Sequence, residues 1–243
     1  MPIISLDKIK TSLINTGRYW IVFTGDSLTS CEWVHPNWRD IIIYVLSNEI
    51  TGLSANGKPI EWGIKGFNFA YDGATTEDIL NHADDIPLLK PQLVIGLMGA
   101  NDPVMGISVN KSIENITKIS YLINQSGSQI IWCNSTPADN SSVRNTRYEP
   151  YAKAFMQIPD SPNFNKINMF NLYQQFPTDK FFTFKSEAIP IEGIKEGDPD
   201  LEHPNQLGNA YIAKVILNEA FGIEFDPEKY ISETLSGEKY PGY

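Results

Sequence analysis

The chain has 243 residues and 42% of them are hydrophobic, so it can bury a substantial core and is not expected to be disordered. Its formal net charge of −10 at pH 7 repels nucleic-acid phosphates and anionic membrane surfaces, which disfavours both as partners. No run approaches the roughly 18 apolar residues of a membrane span, and the first residues lack a signal-peptide pattern, so a cytoplasmic protein is expected.

Short apolar runs and longer amphipathic stretches alternate along the chain, which predicts alternating strands and helices. In chain order, the predicted elements are a strand at 19–24, a helix at 37–49, a strand at 67–71, a helix at 75–82, a strand at 93–98, a helix at 109–124, a strand at 129–134, a helix at 149–157, a strand at 167–170 and a helix at 204–220. The final helix has a proline near its start and Gly222 just past its end, as expected for helix termini.

This alternation predicts an α/β fold, a three-layer sandwich with a central parallel sheet of about five strands in one domain covering residues 1–243. Its strands are continuously apolar, as in sheets covered on both faces. Sites in such sheets lie at the carboxyl ends of the strands, so chemistry is expected just after Thr24, Tyr71 and Met98. Residues 137–198 have weak periodicity and are interpreted as an excursion over the active face.

The two cysteines, Cys31 and Cys133, are far apart in sequence and have no zinc-ligand spacing. We expect two free and mostly buried thiols, as in a reducing compartment, although one disulfide is an alternative.

The first candidate for chemistry is Ser27, in the block Gly25-Asp26-Ser27-Leu28 directly after the first predicted strand. A serine at a sharp turn from strand to helix has an exposed hydroxyl, and nearby backbone N–H groups can face an anion. The alternative for this block is an ordinary helix cap. The Gly-x-Ser-x-Gly elbow does not fit, because Thr29 stands where its last glycine would be.

A second candidate pair, Asp200 and His203, lies just before the final predicted helix. A spacing of three residues lets the carboxylate accept from one imidazole nitrogen while the other nitrogen faces a nucleophile. The chain has only two other histidines. His82 is interpreted as a surface residue, and His35 as a residue that lines the site.

The remaining candidates follow the second and third predicted strands. Gly73 can bring a bare N–H close to a substrate, and the Asn101 amide can donate to a developing oxyanion. Taken singly, each has an ordinary turn as its alternative. Asp26 and Asp102 are interpreted as hydrogen-bonding supports for their neighbours, with Asp102 also a candidate substrate contact. A glycosidase that used these two carboxylates would leave the serine, asparagine and histidine without roles.

Together, the blocks Gly-Asp-Ser, Gly, Gly-x-Asn-Asp and Asp-x-x-His-Pro resemble the SGNH (GDSL-like) hydrolase family over about residues 19–220. The resemblance implies a flavodoxin-like fold and a serine esterase that needs no metal or cofactor. It implies Ser27 as nucleophile with Asp200 and His203 completing a triad. It also implies an oxyanion hole made by Ser27, Gly73 and Asn101.

The expected substrate is a small-molecule or carbohydrate ester, with a preference for short acyl groups such as acetyl. Trp33, Trp38 and Trp62 can stack on sugar rings, although core packing is the alternative for Trp38. The alternative functions are a lipase, a thioesterase or an acyltransferase of the same fold, or a non-catalytic glycan-binding module. The segment after Ser27 and residues 137–198 match no subfamily, so they leave the identity of the substrate open. The sequence does not indicate the oligomeric state.

Overall fold

The computed structural model describes residues 2–190 and 193–235. Its five strands are β1 (Tyr19–Gly25), β2 (Ile64–Ala70), β3 (Leu93–Met98), β4 (Gln129–Asn134) and β5 (Phe164–Ile167). They form one parallel sheet in the order β2-β1-β3-β4-β5, the flavodoxin-like order. The predicted α/β sandwich with about five parallel strands is therefore confirmed.

Nine helices are described alongside the sheet in this part of the chain. They are α1 (Leu6–Thr16), α2 (Ser27–Ser30), α3 (Trp38–Glu49), α4 (Thr76–Asn81), α5 (Val109–Asn124), α6 (Asn145–Phe155), α7 (Met169–Tyr173), α8 (Gln206–Phe221) and α9 (Pro227–Leu235). Three 3-10 segments lie at Ile60–Gly63, Ala83–Leu89 and Thr178–Lys180.

The core lies on both faces of the sheet, because alternate residues of each central strand point to opposite sides. On one face, Ile21, Ile95 and their neighbours pack against α1, α3, α7 and α8. On the other face, Val22 and Val94 pack against α4, α5 and α6. Burial on both sides explains why these strands are apolar throughout.

The two edge strands differ from their predicted bounds. β2 begins at Ile64, three residues earlier than predicted, because an edge strand tolerates the exposed Lys65 and Gly66. The strand predicted at 167–170 is wrong beyond Ile167, since β5 ends there and α7 follows. The Asn168 side chain accepts from the N–H of Asn171 at 3.3 Å and so starts that helix.

Helices α1 and α9 were not predicted, and α8 begins two residues later than predicted. Asn205 caps α8, with its side-chain oxygen accepting from the N–H of Gly208 at 3.1 Å, so Pro204 lies before the helix. Cys31 and Cys133 are free and buried, as expected. Within the described ranges, none of the helices is long and apolar enough to cross a membrane.

Candidate active site

Ser27 lies on a sharp turn between β1 and the first residue of α2. The turn depends on Gly25, whose φ is +146° and whose added Cβ would lie 2.1 Å from the carbonyl oxygen of Leu97. The Asp26 side chain then caps α2 by accepting from the N–H of Leu28 at 3.1 Å. As the first residue of a helix, Ser27 has an N–H without an intrahelical acceptor.

A chain of hydrogen bonds links Ser27, His203 and Asp200. The Ser27 hydroxyl Oγ lies 2.9 Å from His203 Nε2, and His203 Nδ1 lies 2.7 Å from Asp200 Oδ2. Asp200 Oδ1 also accepts from the backbone N–H groups of Glu202 at 2.9 Å and His203 at 3.0 Å. The structure thus brings together the three residues that the sequence blocks indicated, across 176 positions of chain.

Asp200 and His203 each shift the pKa of the other in the direction that favours the ionised form. Burial alone would raise the pKa of Asp200, but hydrogen bonds and the charge of His203 hold it below its ordinary value. Burial likewise opposes protonation of His203, yet the Asp200 carboxylate raises its pKa above the usual 6.5. An imidazole held in this way can accept a proton and be stabilised as the imidazolium.

Gly73 and Asn101 lie beside Ser27, one after β2 and the other after β3. Gly73 has a φ of +69° and open space around its Cα, and it lines the cleft that holds Ser27. The Asn101 side-chain nitrogen donates to the carbonyl oxygen of Ala74 at 3.0 Å, which fixes the orientation of the amide. That nitrogen carries a second N–H, and Asn101 lines the same cleft as Ser27.

Asp26 and Asp102 are both fully buried and support the loops around the site. Burial raises the pKa of Asp26 to about 7, against the lowering effect of its hydrogen bonds from Leu28 and Ala100. Asp102 accepts from the N–H and hydroxyl of Thr76 at 2.8 and 2.7 Å. The expectation that Asp102 contacts substrate is therefore corrected, since its carboxylate faces α4 and not the cleft.

Of the two other residues expected to contact substrate, the structure places Trp33 in the cleft and His35 outside it. The Trp33 ring lines the cleft and meets the His203 ring edge-on at 5.6 Å. His35 does not line this cleft; its side chain is 71% exposed and pairs with Asp40 at 3.4 Å, so its expected role in the site is corrected.

Trp38 and Trp62, the other two tryptophans considered for stacking on sugar rings, also lie outside the cleft. Trp38 is buried and its Nε1 donates to the carbonyl oxygen of Leu28 at 2.8 Å, so it packs the core. Trp62 precedes β2, at the opposite end of the sheet from Ser27.

The cleft itself has a volume of about 800 Å³ and opens along the carboxyl ends of the strands. One wall comes from the segment after β4 and from residues 184–189, in agreement with the interpretation of 137–198 as an excursion over the active face. Arg144, Tyr148 and Glu202 also line the cleft, and the sequence did not indicate them. Among the described residues, no group of three or more His, Cys, Asp or Glu side chains could hold a metal ion.

The chain belongs to the GDSL-like Lipase/Acylhydrolase family, whose family model matches residues 21–216. No curated protein sequence matches it.

Solved structures with the same fold include a lipase/acylhydrolase from Enterococcus faecalis, with 22% identity and a TM-score of 0.64, covering 84% of this chain and 96% of that one. The acetylxylan esterase Axe2 from Geobacillus stearothermophilus is 17% identical with a TM-score of 0.63, covering 85% of this chain and 95% of that one. TesA is 13% identical with a TM-score of 0.59, covering 82% and 97%.

Proposed function

We propose that the protein is a serine hydrolase that cleaves carboxylic esters through an acyl-serine intermediate. The observation that carries the proposal is the hydrogen-bonded series Ser27–His203–Asp200, with distances of 2.9 and 2.7 Å. These three groups stand in the order that nucleophile, base and orienting carboxylate require. Membership of the acylhydrolase family supports the same chemistry.

In the first step, Ser27 Oγ attacks the ester carbonyl carbon while His203 Nε2 takes the hydroxyl proton. The carbonyl π electrons move to oxygen and form a tetrahedral oxyanion. Asp200 keeps the proton on Nδ1 and stabilises the imidazolium. When the intermediate collapses, the bond to the alcohol breaks and His203 returns its proton to the departing oxygen.

The oxyanion is held by three donors: the backbone N–H groups of Ser27 and Gly73 and the Asn101 amide. The turn after Gly25 fixes the backbone at Ser27, and the hydrogen bond to Ala74 fixes the Asn101 amide. Both features support the proposal, because donors that are fixed in advance need little reorganisation as charge develops. Removing one such donor typically slows catalysis by about 10²–10³-fold.

In the second step, water replaces the alcohol and attacks the acyl-serine with His203 again acting as base. The carboxylic acid leaves and Ser27 recovers its proton. An alcohol in place of water would make the same intermediate an acyl donor, which is the acyltransferase alternative.

The substrate class proposed is a short acyl ester, such as an acetyl ester, of a carbohydrate or small-molecule alcohol. The cleft is open and carries polar groups along its length, and Trp33 offers an aromatic face beside His203. The net charge of −10 disfavours acyl donors that carry several phosphates. The similarity of the fold to that of an acetylxylan esterase is consistent with this choice.

The test is hydrolysis of p-nitrophenyl esters of increasing chain length by the wild type, Ser27→Ala and the control Ser232→Ala. Turnover that is highest for acetate and absent only in Ser27→Ala would support a short-chain serine esterase. A preference for long acyl chains would favour a lipase or thioesterase instead.

Covalent labelling distinguishes the proposed esterase from a second candidate function, glycan binding without catalysis. A fluorophosphonate reacts with an activated serine hydroxyl but not with a mere binding pocket, so it should label the wild type at Ser27. A folded wild type that is neither labelled nor active would contradict the esterase proposal.

A further inference from the structure

A polar cluster lies on the cleft wall beside His203, formed by Arg144, Tyr148 and Glu202. Arg144 Nη1 lies 2.6 Å from Glu202 Oε1, and the Tyr148 hydroxyl donates to that same oxygen. The Arg144 and Glu202 side chains are 19% and 21% exposed, so they are largely desolvated while still reaching the cleft. The proposed mechanism assigns no task to any of the three.

The two parts of the cluster come from distant segments that the backbone holds together. Asn145 fixes the start of α6 by accepting from the N–H of Ala138 at 2.9 Å and donating to the carbonyl oxygen of Asp139 at 3.0 Å. The N–H of Asp139 in turn donates to the carbonyl oxygen of Leu201 at 2.8 Å. Arg144 and Glu202 are thus placed before any ligand binds, which lowers the entropy cost of binding.

This cluster presents a donor, the Arg144 guanidinium, and an acceptor, the Glu202 carboxylate, side by side on the cleft wall. A pair of neighbouring hydroxyl groups matches that pattern, because each hydroxyl both donates and accepts. An apolar acyl chain laid over the ion pair would remove water from it without new hydrogen bonds, which is costly. Asp72 and Glu187 also line the cleft, and they disfavour a carboxylate in the same place.

We propose that Arg144 and Glu202, held by Tyr148, form a subsite that binds neighbouring hydroxyl groups on the alcohol portion of the ester. Glu202 directly precedes His203 in the chain and lines the same cleft as Ser27, so a ligand at this subsite lies in the cleft that holds the proposed nucleophile. The inference rests on the proposed esterase function and defines its substrate class as polyhydroxy alcohols such as sugars.

The test compares two acetate esters with rings of similar size, a mono-O-acetylated methyl xyloside with free hydroxyl groups and cyclohexyl acetate with none. Rates are measured at a pH where the wild-type rate no longer changes, so that altered titration of His203 does not contribute. The variants are Arg144→Ala and the milder Glu202→Gln. Arg147→Ala is the control, an exposed arginine in the first turn of α6, three residues after Arg144.

The wild type should prefer the xyloside ester. Arg144→Ala should lower kcat/KM for that ester by on the order of 10- to 100-fold, the effect of losing a hydrogen bond to a charged group. Cyclohexyl acetate should change by less than about threefold, since it makes no such bond. Glu202→Gln should show the same selectivity with a smaller loss, and Arg147→Ala should match the wild type.

Equal losses on both esters would overturn the subsite, because they would mean that Arg144 and Glu202 only stabilise the local structure. No loss on either ester would also overturn it, because the pair would then make no contribution to substrate binding. Binding of the xyloside ester to Ser27→Ala separates this failure from failure of the esterase function. If calorimetry shows binding that Arg144→Ala abolishes while the wild type hydrolyses no ester, the subsite stands and the protein is a glycan-binding module. If the wild type hydrolyses cyclohexyl acetate but neither binds nor cleaves the xyloside ester, only the subsite fails.

Discussion

The carboxylate of Asp26 accepts a hydrogen bond from the backbone N–H of Ala100 at 3.3 Å. This bond joins the turn that carries Ser27 to the turn that carries Asn101. The other carboxylate oxygen caps α2 through Leu28 at 3.1 Å, so one buried side chain holds two loops of the proposed active site. The strands that lead to these loops are neighbours in the sheet, with Gly25 opposite Leu97.

Asp26→Ala should therefore reduce both stability and catalysis. Two backbone N–H groups lose their acceptor, one of them at a helix start, for a cost of about 2–4 kcal/mol in the free energy of unfolding. The nucleophile and the asparagine would no longer keep a fixed distance, so kcat should fall by roughly 10–100-fold. Urea unfolding and kinetics on p-nitrophenyl acetate measure the two effects, and full activity in a destabilised variant would argue against the positioning role.

Asn101→Ala tests the proposed oxyanion donor. Its bond to the carbonyl oxygen strengthens as negative charge develops, so kcat should fall by about 10²–10³-fold while KM changes little. Asn56→Ala, at an exposed loop asparagine, is the matched control and should behave as the wild type. An effect of Asn101→Ala confined to KM would indicate substrate binding in place of transition-state stabilisation.

The pH dependence of the reaction should follow His203, which accepts a proton only when it is neutral. The Asp200 carboxylate raises the pKa of His203 against the effect of burial, so kcat/KM should rise with pH and reach half its plateau above the ordinary value of 6.5. Asp200→Asn removes that charge and should move this acid limb to lower pH while kcat falls by about 10⁴-fold. Profiles on p-nitrophenyl acetate give both numbers. A limb at the same pH in both proteins would mean that another group titrates.

The sequence predicted the sheet and the proposed site because both depend on local signals. Each central strand is a continuous apolar run, and Ser27 and Asn101 follow two such runs, whereas Gly73 follows the more polar edge strand β2. Asp200 and His203 lie within one turn of each other, so their spacing alone indicated the pair. The alternation of strands and helices then required these segments to meet at one edge of the sheet.

The features that sequence reasoning missed depend on tertiary contacts or on weak local patterns. The Tyr148 hydroxyl meets Glu202 across 54 positions of chain, and nothing near either residue indicates that contact. The side chain of Asn168 ends β5 by starting α7. The apolar residues that follow Asn168 have a pattern that is also typical of a strand, so the sequence predicted a strand that continues to residue 170. Helix α1 did carry a signal, since its buried Ile9 and Leu13 have helical spacing.

Gly25→Ala tests whether the turn before Ser27 requires glycine. The added Cβ would lie 2.1 Å from the Leu97 carbonyl oxygen and 2.6 Å from Thr29 Oγ1, at a φ of +146° that alanine rarely adopts. Backbone strain and displacement of β3 together should cost roughly 2–5 kcal/mol in the free energy of unfolding, with loss of esterase activity. Gly57→Ala is the control: it also has a positive φ, +74°, but open space around it, and should cost only about 1–2 kcal/mol with activity kept. Urea denaturation of both variants separates the strain of a positive φ from the close approach of β3. Equal stability losses in the two would show that the contact with Leu97 can relax and that the turn does not depend on it.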